Sequence, residues 1–340
     1  MNRIKGVDRK IMEACRLYVD NLIKPIHSLG QLEDMAIQLS GILGTERPQE
    51  LKKAVVIMAG DTAVDRENKT NGKLSMAELT MVSKGLAPVS AAARMIDAPV
   101  YIVDLGLEQE TENVEGVLTK KVTHGTHQGH PAMEEGAAAS AISLGMSIGK
   151  TLSGQGIQAV GLGNIGERSM LSALAVTAAV MKKELQENSM KQGFSINLGT
   201  INDIKVDPIG VLAAVGSAEI AGLFGLVVQA AREGMAVVFD NAVTGAAVLA
   251  AVAVYPEVKD YVFPSVYYEE PIHQMQMKKL EMKSFLHYDF TLAQGVGSVM
   301  GLSLLDASLD MLNVMKTFGQ GGVDVAEDGP GKARQRGDVQ

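Results

Sequence analysis

Short apolar runs of strand length alternate with longer apolar stretches along most of the chain. Runs of five to seven residues, rich in β-branched side chains and bounded by glycine or charge, predict buried strands at residues 54–59, 99–105, 157–162, 235–240 and 261–265. Longer stretches predict helices at residues 8–44 (two helices), 74–97, 131–152, 168–186, 206–234, 244–255 and 275–315. Buried strands that alternate with helices predict an α/β fold, a Rossmann-like parallel sheet with helices on both faces.

The predicted elements divide the chain into two domains and a tail. Residues 46–274 carry the strands and form the predicted parallel α/β domain. Residues 1–45 and 275–318 carry only helices and are predicted to form a small helical domain together. Residues 319–340 are rich in Gly, Asp, Lys and Arg without apolar periodicity, which predicts a disordered tail.

Composition and charge exclude several classes of function. The 340 residues are 46% hydrophobic and 21% charged, which is typical of a globular protein. A net charge of −8 argues against nucleic-acid binding, which requires a basic surface. The apolar stretch 210–232 contains Ser217, Glu219 and Gln229, so it favours a packed helix over a membrane span. A single cysteine, Cys15, and an N-terminus without the apolar core of a signal peptide predict a cytoplasmic protein.

Polar residues mark the ends of four predicted strands. Asp61 and Asn164 follow the first and third strands, and Asp240 and Ser265 end the fourth and fifth. Ligands of parallel α/β sheets bind at the carboxyl ends of the strands, so these residues are candidates for a site. Two interpretations stay open for each aspartate. It binds a hydroxyl, a base or a metal ion, or it caps a turn by accepting backbone N–H groups.

The segment 161–166 (GLGNIG) follows a predicted strand and precedes a predicted helix. Glycines at a helix start leave backbone N–H groups free to bind an anion, so Gly163, Ile165, Gly166 and Glu167 are candidates for phosphate binding. The segment also matches G-x-G-x-x-G, but a dinucleotide fold places that motif after its first strand. A phosphate-bearing ligand is therefore favoured over a dinucleotide, and a tight structural turn is the alternative.

Two segments that contain histidine offer weaker candidates. His124, His127 and His130 are spaced three residues apart, but the segment is rich in glycine and no cysteine lies near, so a polar loop is favoured over a metal site. Glu270, close to His273 in sequence, is either an acid/base group or part of an exposed loop. Neither a metal ion nor a cofactor is predicted.

Six segments carry a resemblance to a known enzyme family in their order and spacing. The most specific is IKPIHSLGQLE at residues 23–33, close to the family pattern T-K-P-P-G-S-L-G-R-L-E. The others lie at residues 55–64, 130–133, 161–166, 235–244 and 295–306. Through these segments the chain resembles the nicotinate-nucleotide–dimethylbenzimidazole phosphoribosyltransferase (CobT) family.

The resemblance implies a fold, a reaction and an assembly. Family members combine a parallel α/β domain with a small helical domain, and they are homodimers with active sites near the subunit interface. They act in cobalamin biosynthesis, where ribose 5-phosphate passes from nicotinate mononucleotide to an aromatic base and gives the α-ribazole-type nucleotide of a cobamide. A carboxylate accepts the proton of the incoming base. The resemblance places the base pocket near Asp61, Thr70 and Glu78.

The chain departs from the family pattern at its catalytic positions. The catalytic glutamate of the family falls on Gln294, and an amide cannot accept a proton near neutral pH. A second family glutamate falls on Asn164, and the histidine of the A-D-H-G pattern falls on Thr62. The segment 199–208 is shorter than in the family and leaves only Lys205 as a candidate for the phosphate-binding lysine. These changes predict an impaired active site.

The sequence therefore predicts a subunit of a phosphoribosyltransferase that acts on a nucleotide and on a benzimidazole or phenol base. The favoured hypothesis is the non-catalytic, ArsB-type partner of a CobT-like catalytic paralogue in a heterodimer. One alternative is an active homodimer whose proton acceptor has moved to Glu167, Glu78 or Glu270. The other is a non-enzymatic module that binds or senses a nucleotide.

Overall fold

The computed structural model of the protein describes residues 3–129, 131–182, 198–287, 294–326 and 331–339. The strands in these ranges are β1 (Lys53–Gly60), β2 (Thr62–Ala63), β3 (Val100–Gly106), β4 (Val117–Thr119), β5 (Thr126–His127), β6 (Ala159–Ile165), β7 (Ala236–Phe239), β8 (Val262–Pro264), β9 (Val266–Tyr267) and β10 (Leu286–His287). Six of them form a parallel sheet in the order β4-β3-β1-β6-β7-β8. The predicted α/β class is confirmed.

All five predicted strands are present. Two differences from the prediction matter for the site: the third strand ends later, and the sheet has an additional strand. The third strand was expected to end at residue 162, but β6 runs to Ile165. Asn164 therefore lies inside the strand, in register with Met58 of β1, and not in a loop. The edge strand β4 adds a sixth member to the sheet. The sequence does not reveal β4 because its three residues are partly or fully exposed and leave no apolar run.

The helices in these ranges are α1 (Arg9–Asp20), α2 (Gln31–Leu43), α3 (Lys73–Ser83), α4 (Pro88–Met95), α5 (Glu135–Gly154), α6 (Ser169–Met181), α7 (Pro208–Val215), α8 (Ala218–Arg232), α9 (Ala242–Val254), α10 (Pro271–Leu280), α11 (Val296–Val314) and α12 (Phe318–Gly321). Short 3-10 helices lie at Leu198–Thr200 and Pro256–Tyr261. Helices flank the sheet, with α8 against β1 and α11 against β6. Within the described ranges, no helix combines the length and the apolar character needed to cross a bilayer.

The N-terminal and C-terminal helices pack together, α1 on α2 and α2 on α11, while α10 packs on α6 and α9. The division of the chain into two domains stays a prediction.

Where the sequence alone predicts a disordered tail, residues 331–339 lie against the end of α1. Arg334 forms an ion pair with Asp20 at 2.6 Å, and the Gln335 side chain donates to the carbonyl oxygens of Asp20 and Lys24 at 3.1 and 3.0 Å. Polar contacts hold this segment, so an apolar pattern cannot reveal it.

The backbones of helices α5 and α8 are in direct contact at glycine residues. A Cβ atom on Gly145 would clash with the carbonyl oxygen of Gly222, and one on Gly225 would clash with the carbonyl oxygen of Ile142. Helix α8 is buried along most of its length, so the pair cannot move apart without opening the core. The glycines therefore fix the distance between the two helices.

We expect Gly145→Ala to lower the free energy of unfolding by about 1–3 kcal/mol, since the new methyl group meets backbone that cannot yield. Gly136→Ala in the same helix is the matched control, because nothing lies within 4 Å of its Cβ position. It should be neutral or stabilising by up to about 1 kcal/mol, since alanine is the better helix former. Urea unfolding of both variants measures the difference, and equal stabilities would contradict the close packing.

Candidate active site

The carboxyl edge of the sheet gathers Asp61, Asn164, Asp240 and Ser265, all of them buried. Parallel strands bring these residues to one edge, as the sequence predicts. Ser265 has an internal role, because its hydroxyl donates to the carbonyl oxygen of Phe239 at 3.0 Å. The other three belong to two separate hydrogen-bond networks.

The first network connects Asp61 to three segments of the chain. Its Oδ1 accepts hydrogen bonds from the Ser75 hydroxyl at 2.5 Å and from the backbone N–H of Glu167 at 2.9 Å. Its Oδ2 accepts from the backbone N–H of Glu108 at 2.9 Å. A Cβ atom on Gly72 would lie 2.8 Å from that same oxygen. Both carboxylate oxygens of Asp61 are therefore engaged in holding the loops around the site.

The second network joins Asn164 to Asp240 through Asn241. The side-chain amide of Asn241 donates to Oδ1 of Asn164 at 3.0 Å and to Oδ1 of Asp240 at 2.9 Å. Burial raises the pKa of Asp240 to about 7, although the Ser298 backbone N–H and the Thr244 hydroxyl lower it. The Asp240 carboxyl group is therefore partly protonated near neutral pH.

Gln294 lies directly over the end of β6 and is 5% exposed. A Cβ atom on Gly163 would lie 2.7 Å from the carbonyl oxygen of Gln294, and one on Gly295 would lie 3.1 Å from the Cα of Gly163. Gly295 has a φ of +91°, in the left-handed region that favours glycine. Two glycines thus bring the backbone of Gln294 onto the strand beside Asn164.

Glu78 of α3 lies beside Gln294. Its carboxyl group is half-buried, and burial raises its pKa above the usual value. The nearby Gln294 side chain lowers the pKa of Glu78, whereas the carboxylates of Glu167 and Asp61 raise it. The structure therefore places two of the sequence candidates, Gln294 and Glu78, near each other.

Glu167 caps the first turn of α3. Its Oε1 accepts from the backbone N–H of Leu74 at 3.1 Å, and its Oε2 accepts from the Thr70 hydroxyl. Thr70 is buried and also accepts from the backbone N–H of Gly72 at 3.2 Å. Both oxygens of Glu167 are thus used to fix the loop that precedes α3.

The glycine motif is packed more tightly than a free phosphate loop. A Cβ atom on Gly161 would lie 3.1 Å from Leu302, and one on Gly166 would clash with the carbonyl oxygen of Gly60. Gly163 and Ile165 belong to β6. Close packing alone explains these glycines, and phosphate binding by the segment stays a prediction.

The remaining sequence candidates have structural partners. Glu270 caps α10 by accepting from the backbone N–H groups of Ile272 and His273 at 2.9 and 2.8 Å. The buried His273 ring places Nε2 3.1 Å from the carbonyl oxygen of Val266. Thr62 is buried against the Ser172 hydroxyl, 3.0 Å away.

His124 lies in an exposed loop, whereas His127 belongs to β5 and is partly buried, so the favoured polar loop is wrong for His127. The ring of His124 is 3.5 Å from the carboxylate of Glu110, and His127 accepts from Arg66 at 3.3 Å. His130 lies outside the described residues. Lys205 is exposed, with its backbone N–H donated to Asp203 at 3.0 Å.

Three potential metal ligands, Asp20, His27 and Glu33, have ligand atoms within 4.8 Å of one another. Two cations already neutralise the carboxylates. Lys24 lies 3.0 Å from Glu33, and Arg334 lies 2.6 Å from Asp20. The group is therefore a buried ion-pair network between the end of α1 and the C-terminal segment.

Glu219 is a buried acid that the sequence did not single out for the site. A Cβ atom on Gly60 would clash with its carboxyl group, which places it beneath the end of β1. Burial raises its pKa to about 7, against the lowering effect of Ser217 and Ser169, and the charge of Asp61 raises it further. The sequence signal for Glu219 was a carboxylate in an otherwise apolar helix. The same pattern also fits a glutamate on the protein surface.

Comparison with known proteins defines the class. A family model described as a phosphoribosyltransferase matches residues 4–323. The nicotinate-nucleotide–dimethylbenzimidazole phosphoribosyltransferase of Ruminiclostridium cellulolyticum is 30% identical over 95% of this chain and 97% of its own length. The protein of the same name from a Geobacter species is 31% identical, over 94% and 97%. The crystal structure of the Thermus thermophilus protein of that name matches with a TM-score of 0.81 at 25% identity, over 94% of this chain and 100% of its own.

The fold and the matched length place this protein in the phosphoribosyltransferase class. More narrowly, the chain belongs to the nicotinate-nucleotide–dimethylbenzimidazole phosphoribosyltransferase (CobT) family. The predicted membership of the CobT family is thereby confirmed. The assignment to an ArsB-type subunit stays a prediction.

The buried Glu219 predicts a dependence of stability on pH. Folding raises its pKa from 4.5 to about 7. Its contribution to stability is therefore fully present below pH 4.5 and is lost as the pH rises through about 7. The loss is on the order of 3 kcal/mol.

We expect Glu219→Gln to flatten this dependence, because the amide has no proton to lose. Between about pH 5 and pH 8 the free energy of unfolding should fall less for the variant than for the wild type. Urea unfolding at both pH values measures this change in the free energy of unfolding, with the exposed Glu115→Gln as control. Parallel pH dependences of wild type and Glu219→Gln would show that the carboxyl group is charged in the fold.

Proposed function

We propose that this protein takes part in the transfer of ribose 5-phosphate from nicotinate mononucleotide to an aromatic base, the reaction that makes the lower-ligand nucleotide of a cobamide. The observation that carries the proposal is the meeting of Asp61, Asn164, Asp240 and Gln294 at one edge of the sheet. These residues stand at motif positions of the family, and relatives named for this reaction match nearly the whole chain.

The reaction requires three features of the site. The bond between ribose C1 and nicotinate breaks through an oxocarbenium-like state, which fixed dipoles stabilise. The buried side-chain amides of Asn164 and Asn241 supply such dipoles. The start of α6 at Ser169 offers backbone N–H groups for the 5-phosphate. A carboxylate must also accept the proton of the incoming base.

Gln294 favours a second candidate, in which this chain is the non-catalytic partner in a heterodimer. An amide at this position cannot accept the proton of the base. A paralogue that retains glutamate there would then perform the transfer, to a benzimidazole or a phenol. This chain would contribute a bound nucleotide, interface residues and stability to that paralogue.

We expect the purified chain to bind nicotinate mononucleotide, with a heat of binding measurable by calorimetry. Base-dependent release of nicotinate is then followed by chromatography, with dimethylbenzimidazole in one arm and phenol in another. Incubation without base is the control and should release none. Absence of both binding and release would contradict the proposed function.

The heterodimer candidate predicts a different result on co-expression with a CobT-like paralogue from the same source. The lone chain should be inactive and the complex active. Replacing the paralogue's catalytic glutamate by glutamine should abolish the activity of the complex, while the exposed Glu115→Gln in this chain should leave it unchanged. Turnover by the lone chain would exclude this candidate.

A further inference from the structure

Three polar side chains between the end of α1 and the start of α12 are almost completely buried. Asp20 and Asn21 lie at the end of α1, Thr317 precedes α12, and each is at most 1% exposed. A buried polar group destabilises the fold unless it has a partner. All three have a partner in residues 331–339, which lie beyond the range 4–323 that the family model matches.

Two of these side chains bind the backbone of the C-terminal segment. The Asn21 amide donates to the carbonyl oxygen of Arg334 at 3.2 Å, and its Oδ1 accepts from the backbone N–H of Arg336 at 2.5 Å. The Thr317 hydroxyl donates to the carbonyl oxygen of Val339 at 2.7 Å. Hydrogen bonds to the main chain hold a segment without selecting its side chains, so selectivity requires further contacts.

Arg334 and Gln335 make those further contacts. The Arg334 guanidinium lies 2.6 Å from the carboxylate of Asp20. The Gln335 side chain donates to the carbonyl oxygens of Asp20 and Lys24 at 3.1 and 3.0 Å. The polar groove that holds the segment is thus formed by Asp20, Asn21, Lys24 and Thr317.

We propose that the polar groove is a peptide-binding site and that residues 331–339 are its ligand, bound within the same chain as a latch. The latch ties the end of α1 to the start of α12, where a Cβ atom on Gly319 would lie 2.6 Å from the carbonyl oxygen of Gly337. A ligand that binds only the folded state stabilises it, so the closed latch stabilises the packing of these two helices. The latch does not depend on the reaction proposed above.

The ion pair between Asp20 and Arg334 keeps the latch closed. The Asp20 side chain is 1% exposed in the closed form, while that of Arg334 is 39% exposed. Lys24 lies 3.0 Å from the Glu33 carboxylate, so its charge is already paired. A latch that closed over Asp20 without an arginine would therefore bury an uncompensated carboxylate.

Limited digestion with trypsin tests the proposal, because the protease cleaves the segment only when it leaves the groove. Cleavage after Lys332 is followed by mass spectrometry. Arg334→Ala should raise its rate at least about tenfold, since the closed form then buries an unpaired charge. The double variant Asp20→Asn/Arg334→Ala should regain most of the protection, since the amide carries no charge.

Arg336→Ala is the matched control, because the Arg336 side chain is exposed and its backbone N–H makes the contact with Asn21. It should leave the cleavage rate within about twofold of wild type. Circular dichroism confirms that each variant is folded.

Three outcomes would overturn the proposal. Equal cleavage rates for Arg334→Ala and Arg336→Ala would show that the groove does not select the arginine. Wild type that is cleaved as fast as a free peptide of residues 331–340 would show that the segment is not bound. Protection that rises with protein concentration would assign the groove to the segment of a second copy and exclude a latch within one chain.

Discussion

The contact between Gly163 and Gly295 is the constraint on which the rest of the site depends. Gly163 lies within a central strand and Gly295 directly precedes α11, so the contact clamps the start of a 19-residue helix onto the sheet edge. Gln294 is the residue before that contact, and its position is set by backbone packing and not by its own side chain. A change of side chain at position 294 therefore leaves the geometry intact. The site can therefore hold glutamate or glutamine at position 294 and keep its shape.

Several acidic groups lie at this edge of the sheet, and their surroundings differ in three ways. Asp61 and Glu167 are satisfied by backbone N–H and hydroxyl donors. Asp240 and Glu219 are buried, with pKa values of about 7, so they carry only part of their charge near neutral pH. Glu78 is partly open to solvent, and its pKa is raised first by burial and then by the charges of Glu167 and Asp61. The protonation of these acids thus depends on the whole edge.

The sequence predicted the sheet well because apolar runs mark buried strands, and it predicted the residues at the strand ends for the same reason. It could not predict contacts made through backbone geometry or polar pairs. His27 has a φ of +56° where the family pattern has glycine, a substitution that costs about 1 kcal/mol. Sequence alignment shows that change but not its strain. The proximity of Glu78 to Gln294 is equally hidden, since the two residues are far apart in the sequence.

The proximity of Glu78 to Gln294 shows what a carboxylate at position 294 would meet. It would add a further negative charge near Glu78, whose pKa is already raised by the charges of Glu167 and Asp61. Two such groups in contact share one proton and titrate as a pair, so neither is a dependable acceptor at neutral pH. An amide at position 294 avoids that competition, and its proximity lowers the pKa of Glu78 where a carboxylate would raise it.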